Sequence, residues 1–375
     1  MKNIRMNTSS LLLLFALFLI GSCSKNNEVI NAENQSLKKA TITATVTTLV
    51  PHIVLPRGLR FGPDGSLYVS LAGTGGTYSS IGVCTPQVNP PVGPYTGGNT
   101  SSIVKVDPRT GMVSMVASNL PSGLNALGDA LGVADVEFIG NQLYALLSGG
   151  GCSHANPNTP ASVIKVNPDG TWAVIADLSN YLLNNPVAAP EEDDFEPEGS
   201  LYSMINVRGD LYVIEPNHGE MIKVTTSGEI SRVIDFSAHF GHIVPTAVAY
   251  HGNFFVGNLT TFPLIDGAAS IYKVTPSGEP KIWATGFTGV LGVAFDQQNR
   301  MYVLETSAAP PVGQEGPPVV FGTGRVIRVN NNNTRDVIVD HLAFPTGMTF
   351  GPDGALYISN VGFGPLDGQI LKVVF

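Results

Sequence analysis

Six similar segments of the sequence end in a triplet related to Leu-Tyr-Val, and the position three residues after its aromatic residue could do chemistry. In chain order that position holds Leu71, Leu147, Glu215, Asn258, Glu305 and Asn360. Carboxylate and carboxamide oxygens are ligands that Ca²⁺ prefers. The four polar members are therefore candidate ligands of one cation. Alternatively, Asn and Glu at strand ends bond to loop backbone, and the sequence leaves both interpretations open.

A second group of carboxylates lies between positions 191 and 198, which contain six acidic residues: Glu191, Glu192, Asp193, Asp194, Glu196 and Glu198. Their spacing does not match an EF-hand loop, which favours a solvated loop. The sequence contains neither a Gly-x-Ser-x-Gly elbow nor a Walker loop. No catalytic residue is therefore identified.

The six segments predict the fold that must position these residues. Each has an apolar run, a turn and a second apolar run, and is followed by a basic residue between apolar neighbours, at positions 105, 165, 223, 273, 328 and 372. Alternation of this kind is typical of strands with one buried face. A four-stranded unit that recurs every roughly 40–55 residues is typical of a propeller blade. We predict an all-β protein, a six-bladed β-propeller.

The two ends of the repeat array predict how the ring closes. The last basic motif runs into Phe375 without a fourth strand, while the β-branched segment 41–50 precedes the first blade without a partner. An N-terminal strand that completes the C-terminal blade would remove an exposed edge. We therefore expect the propeller to occupy residues 41–375.

Extra length is confined to one end of the predicted ring. Segments 71–102, 148–161 and 307–324 extend the connection after the second strand of three blades, and 178–200 joins two blades. Both kinds of connection emerge on the same face of a propeller. Function commonly lies on such loops.

The N-terminus has the features of an export signal. Lys2 and Arg5 precede an apolar run from Leu11 to Ile20 and the sequence Gly-Ser-Cys23. The run is too short for a bilayer and fits a secretory signal. Its last four residues resemble a bacterial lipobox, which implies cleavage before Cys23 and lipidation of its thiol. An ordinary signal peptide is the alternative.

These features divide the chain into a lipoprotein signal (1–22), a polar tether (23–40) and the propeller. They predict an exported protein that is lipid-anchored in the bacterial cell envelope. In that oxidising setting a pair of free thiols would be a liability. Cys84 and Cys152 lie in insertions of neighbouring blades on one face, beside glycine-rich segments. We therefore predict a disulfide between them, with two free thiols as the alternative.

The composition limits the kinds of partner that the protein can bind. Only 13% of the residues are charged, 43% are hydrophobic, and the net charge is −9. Such a chain is not disordered and lacks the basic surface that nucleic acid requires. We expect a monomer that contacts the membrane only through its anchor.

Several segments together resemble the ScyD/ScyE family of exported, NHL-like propeller proteins. They are Pro56–Ser70, Val244–Val248, Val256–Leu264, Ala284–Phe287 and Phe344–Tyr357. The similarity spans residues 46 to 375, and it implies the six-bladed fold. Gluconolactonase-type propellers, in addition, use a related set of Glu, Asn and Asp around one divalent ion.

Two functions follow as hypotheses. The first is a binding or scaffolding module whose elaborated face recognises an unknown protein or small molecule. The alternative is a metal-dependent lactonase or esterase in which Glu215, Asn258, Glu305 or Asn360 holds the ion and polarises a carbonyl. No cofactor is certain, and Ca²⁺ is the candidate.

Overall fold

The computed structural model describes residues 38–39, 44–190, 195–310, 319–330 and 334–375. Their strands form six separate sheets of four or five strands each. Inner strands of consecutive sheets contact one another all the way around, including the sixth with the first. The prediction of an all-β, six-bladed propeller is confirmed.

Two N-terminal strands, β1 (Lys38–Lys39) and β2 (Thr45–Ile53), precede the first blade. Blade one contains β3 (Pro56–Phe61), β4 (Leu67–Leu71), β5 (Thr96–Val106), β6 (Val113–Leu124) and β7 (Ala130–Leu131). Blade two contains β8 (Val133–Ile139), β9 (Gln142–Leu147), β10 (Ser162–Val166) and β11 (Trp172–Asp177). Blade three contains β12 (Ser203–Val207), β13 (Asp210–Glu215), β14 (Glu220–Val224) and β15 (Ile230–Asp235).

Blade four contains β16 (Pro245–Tyr250), β17 (Phe254–Asn258), β18 (Ala269–Val274) and β19 (Pro280–Phe287). Blade five contains β20 (Val290–Phe295), β21 (Met301–Glu305), β22 (Gly324–Val329) and β23 (Arg335–Leu342). Blade six contains β24 (Gly347–Phe350), β25 (Leu356–Asn360) and β26 (Gly368–Val374). Helices α1 (Leu178–Asn184) and α2 (Phe236–Phe240) follow the outer strands of blades two and three.

The N-terminal strand closes the ring. Strand β2 pairs antiparallel with β26, with Thr45 opposite Val374 and Ile53 opposite Gly368. The predicted shared blade is therefore present, and its strand runs to Ile53 rather than ending at 50. In addition, β1 pairs in parallel with β23.

The ring has two different ends. The first strand of each blade is the inner strand, nearest the ring axis, and the second strand pairs with it through a hairpin. We call the end where the second strands finish and the inner strands begin the loop face. The opposite end, where these hairpins lie, is the hairpin face. The antiparallel order of each blade brings both kinds of long connection to the loop face, as predicted. The first insertion is shorter than expected, because β5 already begins at Thr96 and continues beyond the blade alongside β6.

Aromatic pairs join neighbouring blades near the hairpin face. The aromatic residue of the Leu-Tyr-Val triplet packs edge-on against an aromatic residue of the next inner strand. These pairs, with ring centroids 4.9 to 5.3 Å apart, are Tyr68–Phe138, Phe255–Phe295, Tyr302–Phe350 and Tyr357–Phe61. Such pairs contribute about 0.5–1.5 kcal/mol each beyond their buried area. The last pair joins blade six to blade one.

Three of the six recurring basic residues pair with hairpin carboxylates of their own blades. The pairs are Lys105–Asp64 (3.6 Å), Lys223–Asp210 (2.6 Å) and Lys372–Asp353 (2.8 Å). For these three blades the basic position is explained without a polyanionic ligand. Within the described ranges, no helix is long and apolar enough to cross a membrane.

Candidate functional site

Glu215, the first predicted cation ligand, is fully buried at the end of β13. One of its carboxylate oxygens accepts the backbone N–H of Ser200 at 2.7 Å and that of Asn217 at 3.2 Å. The other accepts the backbone N–H of His218 at 2.5 Å. The carboxylate therefore holds the connection between blades two and three against the end of the strand.

Glu305 ends β21 in the same way. Its Oε1 accepts the backbone N–H of Thr288 at 2.9 Å, and its Oε2 pairs with Nε of Arg325 at 2.5 Å. Burial raises the pKa of Glu305, although the Arg325 charge and these hydrogen bonds oppose the increase. This carboxylate has a protein cation as its counter-ion.

The two asparagines also bond to backbone. Asn258 donates to the carbonyl of Ile243 at 2.7 Å and accepts the N–H of Ser270 at 2.7 Å. Asn360 accepts the N–H of Ala343 at 2.9 Å. Each side chain thus joins a loop to the end of its own blade's second strand.

These contacts bear on the predicted Ca²⁺ site. Glu215, Asn258, Glu305 and Asn360 each have a side-chain oxygen committed to a backbone N–H, and they belong to four different blades. Among the described residues, no group of three or more His, Cys, Asp or Glu side chains is arranged to hold a metal ion. The donor set fits the strand-end interpretation better than a cation site. The Ca²⁺ site, and the lactonase that depends on it, stay predictions.

A buried polar cluster lies instead beneath the insertions of the loop face. His154, on the second-blade insertion, is fully buried, and its Nε2 lies 2.9 Å from Oε2 of Glu196. Tyr95 donates its hydroxyl to the other Glu196 oxygen at 3.1 Å. Burial alone would lower the pKa of His154, but the hydrogen bond and charge of Glu196 outweigh it and raise the pKa.

The interpretation of the acidic run as a solvated loop is therefore wrong for two of its residues. Glu196 and Glu198 are 7% and 6% exposed, and Glu198 accepts the N–H and hydroxyl of Ser153 at 2.6 and 2.7 Å. Their burial is tolerated because each has hydrogen-bond donors within the cluster. Glu191, Glu192, Asp193 and Asp194 lie outside the described residues.

The predicted disulfide between Cys84 and Cys152 is present. Their Cα atoms lie 6.0 Å apart, within the range that a disulfide requires. Ser80 reinforces the junction by donating its hydroxyl to the carbonyl of Cys152 at 2.7 Å. The insertions of blades one and two are therefore linked to each other covalently.

The loop face also exposes much apolar surface. The described residues contain seventeen exposed large apolar side chains. Ten of these lie on connections at the loop face: Val54, Tyr78, Ile81, Val83, Leu127, Leu183, Phe262, Ile265, Phe321 and Leu366. We call these ten residues the apolar rim. These residues come from connections spread around the ring, and a surface on which they were jointly covered would be an interaction surface.

A cavity of about 290 Å³ lies on the axis of the ring, lined by inner-strand residues of all six blades. Along β3, β8, β16 and β20, residues near the loop face are mostly buried, whereas the last residues before the hairpin are partly exposed. In blades four to six the cavity lining reaches the last residue before the hairpin, Tyr250, Phe295 and Phe350, and each of these is partly exposed, so the cavity extends to the hairpin face. This orientation differs from the expectation that the main site opens at the elaborated end.

The loop-face end of the cavity is crossed by a hydrogen bond. Tyr202, just before β12, donates its hydroxyl to the carbonyl of Thr346, just before β24, at 2.8 Å. These residues belong to blades three and six, which are opposite each other in the ring. Burial raises the pKa of Tyr202, with the charge of Arg57 opposing the increase. The phenol of Tyr202 therefore stays protonated and remains a hydrogen-bond donor.

Asp135 and Arg60 bring charge into the cavity wall. The carboxylate of Asp135 accepts the backbone N–H groups of Val136 at 2.8 Å and Met204 at 2.9 Å. Burial raises the pKa of Asp135 to about 7, against the opposing charge of Arg60. The guanidinium of Arg60 pairs with Oε2 of Glu137 at 3.0 Å.

Sequence reasoning missed these charged residues, although the repeat contained a signal for them. Gly58 and Asp135 occupy the same repeat position, where blades four, five and six have Ala247, Gly292 and Gly347. Blade three has Met204 there, so the position is uncharged in every blade except the second, where it is an aspartate. A Cβ on Gly58 would lie 2.0 Å from Oδ1 of Asp135, so the glycine makes room for the carboxylate.

The fold and these sites define the class of protein: a six-bladed β-propeller, of the architecture that gluconolactonase structures also have. No family model matches the sequence, and none of the curated proteins matches it either. The resemblance to the ScyD/ScyE family therefore remains a prediction.

Three solved structures illustrate the likeness. A gluconolactonase from Xanthomonas campestris aligns with a TM-score of 0.52 and 11% identity, over 88% of this chain and 90% of that one. A protein of unknown function from Bacteroides thetaiotaomicron aligns with a TM-score of 0.56 and 9% identity, over 88% and 76%. The soluble aldose sugar dehydrogenase of Escherichia coli gives 0.50 and 14%, over 88% and 99%. At such identities the likeness concerns the fold alone.

Proposed function

We propose that this protein is an exported binding module whose loop face engages a partner protein through the apolar rim. The observation that carries the proposal is that, among the residues the structure describes, ten of the seventeen exposed large apolar side chains lie on that face. Aromatic residues such as Phe262 and Phe321, 55% and 57% exposed, are typical anchors of protein interfaces. Burying them against a partner would remove this apolar area from water.

The loops that carry part of the rim are held in place before any partner binds. The Cys84–Cys152 disulfide joins two insertions, and the His154–Glu196 contact attaches the connection between blades two and three. A surface that is already ordered loses less conformational entropy on association. This preorganisation supports binding rather than a merely solvated loop cluster.

The proposed lipid anchor fits the same orientation. Strand β2 begins at the hairpin face, because Thr45 pairs with Val374. A chain attached through Cys23 would approach the ring from that end, with a tether (23–40) no longer than about 65 Å when extended. The loop face would then point away from the membrane, toward partners in the envelope or beyond it.

Site-specific photo-crosslinking in the native host tests the proposal. A photoreactive amino acid at Phe262, Ile265 or Phe321 should give the same discrete crosslinked protein from each position. The control positions are Met112 and Met115, which are 70% and 60% exposed but lie outside the loop face. Crosslinks that are equally frequent at the control positions, or none at the rim, would refute the proposal.

The anchor has its own test. Cys23→Ser should move the protein from the membrane fraction to the soluble fraction of the envelope. If the wild-type protein is already found in the soluble fraction, the claim of a lipid anchor is refuted, while the proposed role of the apolar rim is untouched.

A further inference from the structure

Seven exposed large apolar side chains remain outside the apolar rim. Among the described residues, three belong to blade six (Val46, Val374 and Phe375), three belong to blade one (Met112, Val113 and Met115), and Val174 belongs to blade two. Each lies within two residues of the hairpin-face end of a strand. We call these seven residues the basal patch.

The three blades that form the basal patch are consecutive around the ring, and their outer strands are in contact through turns. A Cβ on Gly111 would lie 2.2 Å from the carbonyl oxygen of Leu49, so the turn of blade one that leads to Met112 packs directly against β2. The corresponding turn of blade two packs against β6, because a Cβ on Gly170 would lie 2.7 Å from the carbonyl oxygen of Val116. The patch is therefore one arc at the edge of the hairpin face.

The repeat shows that the fold does not require apolar residues in this arc. Met112 directly follows a turn glycine with positive φ, and so do Glu229 in blade three and Glu279 in blade four. Both glutamates are exposed, as expected of a position that faces water. Met112 is 70% exposed at the same position. Exposed apolar side chains that adjoin one another are typical of a surface that is covered in use.

The N-terminal part of the chain enters the propeller through this arc. Strand β2, which contains Val46, begins at Thr45 opposite Val374 of β26. The tether and Cys23 precede this point in the sequence. The proposed lipid anchor would therefore hold the basal patch, and not the apolar rim, next to a bilayer.

The charged groups near the patch do not form a basic surface. Their pairs are Lys105–Asp64 at 3.6 Å, Arg109–Asp107 at 3.6 Å and Lys372–Asp353 at 2.8 Å. Membrane-surface binding depends on buried apolar area and on attraction to anionic lipids. Because these cations already have carboxylate partners, the patch contributes apolar area, and its contact with lipid does not need anionic headgroups.

We propose that the basal patch lies against a lipid bilayer, with the ring tilted so that blades six, one and two contact the headgroup region while blades three and four face water. This inference rests on the proposed lipid anchor. Because even a single acyl chain binds a bilayer only marginally, the patch orients a protein that the anchor already holds and does not retain an untethered one. The sequence predicted membrane contact through the anchor alone.

Fluorescence quenching by nitroxide-labelled lipids tests the orientation. The lipidated protein is reconstituted into phosphatidylcholine vesicles with an environment-sensitive fluorophore on one introduced cysteine. That cysteine is the only free thiol, because Cys23 is lipidated and Cys84 is paired with Cys152. Fluorophores at Met112→Cys and Met115→Cys should be quenched by nitroxides on the lipid chains. Quenching that appears only after anionic lipid is added would contradict an apolar contact.

Two control positions complete the measurement. Glu279→Cys has the repeat position of Met112 in a blade that should face water, and Phe262→Cys reports on the apolar rim. Quenching at both patch positions should be several-fold stronger than at either control. Equal quenching at Glu279, or stronger quenching at Phe262, would overturn the proposal. A patch fluorophore that is shielded from water without being quenched by lipid would also overturn it, because a protein would then cover the patch.

The double variant Met112→Glu/Met115→Glu tests the apolar character of the contact. The two methionines are 70% and 60% exposed, so their replacement should leave the melting temperature nearly unchanged. Quenching of a fluorophore at Val374→Cys should fall to the level of the Glu279 control, because carboxylates resist transfer out of water. Unchanged quenching in the double variant would contradict the proposal.

A second preparation separates this proposal from the lipid anchor. Residues 24–375 with an N-terminal hexahistidine segment can be held on vesicles that contain nickel-chelating lipid, so the chain is tethered from the same end without lipidation. Quenching at Met112→Cys should persist there. If it does and the natural chain is not lipidated, only the anchor claim fails. If the natural chain is lipidated and neither preparation shows quenching at the patch, the basal contact is refuted and the anchor stands.

Discussion

The hydroxyl of Tyr202 donates to the carbonyl of Thr346 at 2.8 Å, and this hydrogen bond joins two blades that are opposite each other across the ring axis. Residues this far apart in sequence meet only because the ring is closed. The contact crosses the axial cavity near its loop-face end, where both residues line the wall. Two chemically different surfaces, the cavity and the apolar rim, lie toward opposite ends of one small propeller.

Tyr202→Phe removes this contact with little change in shape. We expect the free energy of unfolding to fall by about 1 kcal/mol, the usual net contribution of such a hydrogen bond. Denaturant titration measures it. Tyr250→Phe is the matched control, because Tyr250 also lines the cavity but its hydroxyl has no hydrogen bond in the described part of the chain; it should change stability by less than ~0.5 kcal/mol. Equal effects of the two variants would show that the cross-axis bond contributes nothing.

Gly58→Ala should place a methyl group against Asp135. The new Cβ would lie 2.0 Å from Oδ1 of the carboxylate, and overpacking of this kind costs about 1–3 kcal/mol. A double-mutant cycle with Asp135→Ala checks the cause, because the second substitution removes the clashing oxygen. Additive effects of the two substitutions would contradict a direct clash.

Asp135 should make stability depend on pH. Its pKa is about 7 in the folded protein, against an ordinary value of 3.8 for an aspartate, so the folded state binds this proton more tightly. The corresponding stabilisation is complete below about pH 4 and is lost as the pH rises through 7. Arg60 and Glu137 are the charged groups that face Asp135.

The expected slope is about 1.4 kcal/mol of unfolding free energy per pH unit between roughly pH 4.5 and 6.5. Because the raised pKa of His154 acts in the same direction, the quantity to measure is the difference between wild type and Asp135→Asn. That difference should change by several kcal/mol from pH 4.5 to pH 7.5, with wild type losing stability relative to the variant. A difference that is constant with pH would mean that Asp135 is ionised throughout.

Loss of the disulfide should destabilise the loop face. Cys84 and Cys152 are 68 positions apart in the sequence, and for a loop of that length the chain-entropy estimate is about 4 kcal/mol. The double variant Cys84→Ser/Cys152→Ser should therefore melt at a lower temperature, and wild type under reducing conditions should behave alike. Intact mass should increase by about two daltons on reduction of wild type, since two hydrogens are added. Free thiols in the unreduced, denatured protein would contradict the pairing.

Chelation tests the Ca²⁺ site. Since the strand-end oxygens already accept backbone N–H bonds, we expect EDTA and added Ca²⁺ to leave the melting temperature unchanged. Glu305→Gln should nevertheless destabilise the protein, because it leaves Arg325 without its carboxylate. A melting temperature that falls with EDTA and recovers with Ca²⁺ would instead support the cation site, since bound ligand stabilises by mass action.

Much of the fold could be predicted from local pattern. The aromatic residue of each Leu-Tyr-Val triplet marks a second strand because alternation and turn residues act within a few positions. The shared sixth blade followed from an unpartnered strand at each end of the repeat array, and the disulfide from two cysteines on neighbouring insertions of one face. The strands and the shared blade needed only periodicity and the topology of a ring, whereas the disulfide also needed the oxidising setting that the export signal implies.

The role of each candidate site residue could not be predicted from local pattern, because it depends on the groups that surround the side chain in the folded protein. Glu215 and Glu305 have the residue type and repeat position expected of cation ligands, and only the folded loops show that backbone N–H groups and Arg325 occupy their oxygens. Glu196, one of six carboxylates in a hydrophilic run, is buried because His154 and Tyr95 come from distant insertions.

The sequence by itself determined the blades, their number and the end of the ring that carries the long loops, because these depend on local alternation and repeat length. Tertiary structure alone decided that the axial cavity extends to the hairpin face, that Tyr202 bridges to Thr346, and that Arg60 lies between Glu137 and Asp135 with a donor unused. The physical reason is that desolvation and hydrogen-bond pairing depend on groups far apart in the chain, and their positions are fixed only when all six blades pack together.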